Sequence, residues 1–102
     1  MLDDKIMELA KTLVASYEEA YQLCLPEVER IIKYQIKDID LIEHTLDQVL
    51  NIYTDKGFYL FIRLLLYYRT INLGNAKDYL EILKEDRREE YDDFVKTLKK
   101  IK

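Results

Sequence analysis

FYLFIRLLLYYRTINL, residues 58–73, decides how the rest of this chain must be arranged. Eleven of its first fourteen residues are apolar or tyrosine, and it holds no glycine or proline. A helix this apolar cannot lie bare on a surface, and it falls short of the ~20 apolar residues a bilayer span needs. The segments on either side must cover it.

The chain has 102 residues, which suits one domain, 1–102, with a single core. Apolar residues and tyrosine make up 49% of it and charged residues 35%, a globular balance rather than that of a disordered chain. Two glycines and one proline leave little material for turns, so the elements are few and long. Rich in Leu, Ile, Lys and Glu, they read as helices. The expected fold is all-α, an antiparallel bundle of four to five helices.

Working outward from 58–73, Thr54-Asp55-Lys56-Gly57 reads as a turn in which Gly57 supplies backbone freedom. Before it, 40–54 is a helix with Ile42, Leu46, Val49, Leu50 and Tyr53 inward, and it forms an antiparallel hairpin with 58–72. Tyr53, Leu46, Ile62, Leu65 and Leu66 are the expected hairpin core. Positions summing to about 111 face each other, which puts Arg63 near Asp47 and Gln48, and Arg69 near Glu43. The apolar spacing can be continued through Ile39, Ile42, Leu46, Val49 and Tyr53 as one helix of 29 residues. Asp38 and Asp40 are weak helix formers, however, and Asp40 to Glu43 reads as a capping box, which favours a break or sharp kink near 37–40.

Further upstream, Ile6, Ala10, Leu13, Tyr17, Ala20 and Cys24 recur at helical spacing, widened by Leu9, Val14 and Tyr21. This helix is expected over 3–24, stopping before Pro26, which would open the next with Val28, Ile31, Ile32 and Ile36 on one face. Downstream, Gly74 reads as a left-handed cap and Asn75 as the cap of a last helix over 76–100. Lys84 to Glu90, KEDRREE, carries no apolar side chain and is expected to leave the core. Tyr91, Phe94, Val95, Leu98 and Ile101 then resume an apolar stripe that a second copy, or residues 1–24 of the same chain, would cover.

Chemistry-bearing residues are sparse. Cys24 is the only cysteine, which excludes an intrachain disulfide and a thiolate metal cluster within one chain. His44 is the only histidine; Asp40 and Asp47 share its helical face. That trio is the candidate metal site, but carboxylate-bridged bundles use two Glu-x-x-His motifs and this chain has none. The primary expectation is therefore a non-enzyme with no metal and no cofactor. A metal-dependent protein or enzyme centred on His44 is the alternative.

The net charge of −4 divides unevenly: residues 1–57 hold 6 basic and 12 acidic residues, and 58–102 hold 10 and 8. The halves attract each other, or those of a second copy. No nucleic-acid partner is expected of so acidic a chain, and 41–72 read as a helix-turn-helix would present Leu and Tyr where polar readers are needed. The lysines of KTLKKIK, 96–102, suit a helix C-terminus. With no leader at the N-terminus, the expected location is cytoplasmic, and membrane contact is not expected.

Tyr59, Arg63 and Tyr67 line one side of the central helix, an aromatic-plus-arginine strip of the kind enriched at interfaces. With Tyr91, Phe94, Val95, Leu98 and Ile101 they form the candidate interface, and the expected partner is a second copy, as a dimer, or another protein. In size and class the chain is similar to the small four-helix bacteriocin immunity proteins, a likeness of architecture that maps no residue. It implies a membrane-adjacent immunity role as a further alternative.

Overall fold

The computed structural model describes the backbone of residues 2–101 and the side chains of residues 3–100. Among the described residues there are five helices and no strand: α1 Leu2–Lys33, α2 Ile39–Leu50, α3 Asp55–Arg69, α4 Leu73–Asp86 and α5 Arg88–Ile101. The central position of α3 is as expected. It packs against α1, α2 and α4, and buries Phe58, Leu60, Phe61, Ile62, Leu64, Leu65 and Tyr68. The molecule is 52 Å along its longest axis. A helix the length of α1 is itself ~48 Å long, so α1 sets that dimension.

Pro26 does not end the first helix; it lies inside α1. Its missing N–H leaves the carbonyl one turn earlier without a helical donor, at a cost of about 3 kcal/mol. What offsets that cost is a single stripe running through the proline. Cys24, Val28 and Ile31 are buried, and Tyr17, Ala20 and Tyr21 pack on the same core. Val28 and Ile31 alone stabilise by about 1.5–3 kcal/mol each. The helix instead ends in a Schellman motif: Ile36 N–H donates to the Ile31 carbonyl and Gln35 N–H to that of Ile32, with Gln35 left-handed at φ 51.

The break near 37–40 is present, but the cap is Asp38, two residues before the predicted box. Its carboxylate accepts from Leu41 N–H at 3.2 Å. Similarly, Thr54 caps α3 by accepting from Gly57 N–H at 3.1 Å, so Asp55 to Gly57 are the first turn of a helix rather than a connecting turn. Gly57 has no left-handed φ. It is needed for close approach, since an added Cβ would lie 2.3 Å from the Ile52 carbonyl oxygen and 2.7 Å from Ile52 Cβ. Gly57→Ala is therefore expected to destabilise by about 1–3 kcal/mol in urea unfolding, despite the better helix propensity of alanine. An equal or raised stability would show that α2 and α3 do not meet there.

Gly74 also lacks a left-handed φ and lies within α4, which Asn72 caps by accepting from Asn75 N–H at 2.9 Å. Of the predicted hairpin core, Leu46, Ile62 and Leu65 are buried, whereas Tyr53 and Leu66 are 47% and 51% exposed. Leu66 sits at the edge of the buried face of α3, where a one-residue rotation separates core from rim, whereas α2 ends at Leu50 and leaves Tyr53 in the connection to α3.

The largest departure is at KEDRREE. The expected single helix is two, and the residue between them, Arg87, is only 4% exposed. Its guanidinium donates to the Ile52 carbonyl at 2.8 Å and the Thr54 carbonyl at 2.9 Å, and it pairs with Glu90 through two nitrogens. It also lies 5.5 Å from the ring centres of Tyr53 and Phe58. Each of those carbonyls also accepts a backbone N–H, Ile52 from Thr54 and Thr54 from Phe58, so the arginine takes up their second lone pairs and ties the start of α5 to the α2–α3 connection. The segment thus enters the core through one side chain, and the bend it makes turns α5 back toward α3.

Candidate interaction surfaces

The register sum of 111 is met by Tyr68 rather than by an arginine. Tyr68 hydroxyl donates to Glu43 Oε2 at 2.5 Å, and Asn75 Nδ2 donates to both at 3.1 Å. Beside them Tyr79 donates to Asp47 Oδ1 at 3.0 Å. Burial and these carboxylates raise the Tyr68 and Tyr79 hydroxyls above their ordinary range, so both stay protonated as donors. The predicted pairs of Arg63 and Arg69 with Asp47 or Glu43 are not formed. Arg63 is exposed and reaches Glu29 on α1 at 4.0 Å, and Arg69 is exposed with no ion pair among the described residues. A tyrosine hydroxyl is cheaper to bury than a guanidinium, which explains the exchange. Among the described residues no buried side-chain nitrogen or oxygen lacks a partner, so these groups spend their hydrogen-bonding capacity within the fold.

His44 is exposed, Asp47 is engaged by Tyr79, and Asp40 lies one turn earlier at the start of α2. Among the described residues no group of three or more His, Cys, Asp or Glu side chains is placed to hold a metal ion. His44 borders a shallow hollow with Cys24, Glu27 and Gln48. Burial raises the Cys24 thiol above its ordinary range and keeps it in the weakly nucleophilic protonated form.

The predicted interface residues separate into two groups. On the α1 side of α3, Tyr67 is half-buried and donates to the Ile36 carbonyl at 2.7 Å, leaving Tyr59 and Arg63 as the exposed members. The α5 stripe is partly absorbed by its own chain. Phe94 stacks edge-on against Phe58 at 5.8 Å and Tyr59 at 6.2 Å, and Tyr91 packs on the core. Neither a second copy nor residues 1–24 is needed to cover that part. Val95 is half-buried and Leu98 exposed, and the side chain of Ile101 lies outside those described.

What remains open is a groove of 350 Å³ between α3, α4 and α5. Ile62, Leu65 and Ala76 form its buried floor, Leu66, Leu73 and Leu98 its exposed apolar rim, and Arg69 and Lys77 are its charged lining residues. The sequence points to the α5 wall but not to the opposite one, because Leu66 and Leu73 both fall in the 58–73 stretch whose residues are expected to be covered.

A second open surface was missed altogether. Every residue from 3 to 16 is exposed, including Ile6, Met7, Leu9, Leu13 and Val14. This arm, ~21 Å of helix, continues the face that buries Cys24, Val28 and Ile31 further along α1. The stripe was visible in the sequence; that α2 and α3 cover only its second half was not. No described helix is long and apolar enough to cross a membrane. No family model, curated protein or solved structure matches this chain.

Proposed function

We propose that this chain is a non-catalytic protein–protein interaction or regulatory module that acts as a self-associated dimer. The observation that carries the reading is that one helical bundle leaves two apolar surfaces bare, the arm over residues 3–16 and the α3–α4–α5 groove. Contiguous apolar patches of this kind are rare on monomers and mark sites of association. The polar side chains inside the fold are consumed in stitching α2, α3 and α4 together, which favours a binding role over a chemical one. Light scattering across a concentration series tests it. The expected mass at tens of micromolar is twice the 12.3 kDa of one chain. A one-chain mass throughout that range would overturn self-association.

A further inference from the structure

We infer that the arm of one copy lies in the α3–α4–α5 groove of a second, with the exchange reciprocated about a two-fold axis. This rests on the self-association reading and names the contact that makes it. Three features of the molecule lead there.

The arm cannot reach its own groove as folded. α1 is continuous from Leu2 to Lys33, and its second half is held against α2 and α3, so the first half projects as a rigid extension. Folding it back would require breaking the helix. An amphipathic helix with Ile6, Leu9, Leu13 and Val14 on one face is the form of ligand an apolar groove between helices accepts.

Charge points the same way. The first two turns of the arm hold Asp3, Asp4 and Glu8 against one lysine, Lys5. The charged side chains lining the groove, Arg69 and Lys77, are both basic, and among the described residues neither has an ion-pair partner in its own chain. Exchange sets the acidic half of one chain against helices from the basic half of the other.

Area separates this arrangement from simpler pairings. Two arms packed on each other would share a stripe ~21 Å long and ~10 Å wide, about 200 Å² in plan. A standard interface buries about 800 Å² per partner. Reciprocal exchange engages four surfaces rather than two, and it covers the groove that arm-to-arm pairing would leave in water.

Complementation between two variants tests the exchange. Leu9→Glu with Leu13→Glu disables the arm, and Leu66→Glu with Leu98→Glu disables the groove; all four residues are exposed, so each variant should keep its helical circular dichroism. Each alone is expected to show a one-chain mass. Mixed in equal amounts they should associate, because the intact arm of the groove variant meets the intact groove of the arm variant. One contact instead of two weakens that heterodimer by about 10²–10⁴-fold, so the mixture is measured at the highest soluble concentration. Lys77→Glu, which removes no apolar surface, should weaken the unmodified dimer by about fivefold. The exchange is overturned by a mixture no heavier than its components. It is equally overturned by a groove variant that stays dimeric alone, the mark of arm-to-arm pairing, or by an arm variant that does so. Such results alongside a dimeric unmodified chain leave self-association standing. A one-chain mass for the unmodified protein removes both, and assigns arm and groove to a different protein.

Discussion

Arg87→Ala is expected to lower the free energy of unfolding by about 2–4 kcal/mol, the scale of losing charge-assisted hydrogen bonds together with the packing of a buried side chain. The arginine side chain is nearly inaccessible, while Glu90 is about one-third exposed. Glu90 therefore regains water once its partner is gone and contributes little to the loss. The main costs are the charge-assisted hydrogen bonds to the carbonyls of Ile52 and Thr54, which keep their backbone donors, and the contact with the rings of Tyr53 and Phe58. Arg87→Lys should recover only part of the loss, because a lysine cannot span two carbonyls and a carboxylate with one planar fork. Urea unfolding followed by circular dichroism measures both variants. A loss below about 1 kcal/mol for Arg87→Ala would mean the guanidinium does not hold the α2–α3 connection.

Phe58→Ala is expected to cost about 3–5 kcal/mol and, beyond that, to loosen α5. The Phe58 ring is buried and lies edge-on to Phe94 at 5.8 Å, which makes it the seat on which α5 rests. Amide hydrogen exchange should therefore rise across Arg88–Ile101 more than across α2. Uniform loss of protection would instead show that α5 unfolds only with the whole chain. Because Phe58 also faces Arg87, the double variant should fall short of the sum of the single losses by about 0.5–3 kcal/mol. Strict additivity would separate the ring from the guanidinium and remove the account of the bend given above.

Arg87 shows how much of the site was legible and why the rest was not. KEDRREE reads as solvent-facing because its side chains are charged, and for all but one of the arginines that expectation is sound. Sequence periodicity records the donors a residue carries. It does not record that the Ile52 and Thr54 carbonyls between α2 and α3 offer a second lone pair to position 87. The same blindness misplaced the central arginines. The register of α2 against α3 was readable, and Glu43 does face position 68, but the group that reaches it is a tyrosine hydroxyl.

By itself the sequence determined the all-α class and the burial of α3, and it favoured, without deciding, the break between α1 and α2. These follow from local terms: apolar spacing, weak helix formers and the side chains able to cap. Only the tertiary structure decided that α1 runs through Pro26, that α4 and α5 part at Arg87, and that Gly57 serves close packing rather than a turn. Each of those sets a local preference of a few kcal/mol against burial or hydrogen bonds supplied from elsewhere in the chain. The bare arm was decided in the same way. A stripe from Ile6 to Ile31 states which face is apolar, but the lengths and directions of α2 and α3 determine how much of it they cover.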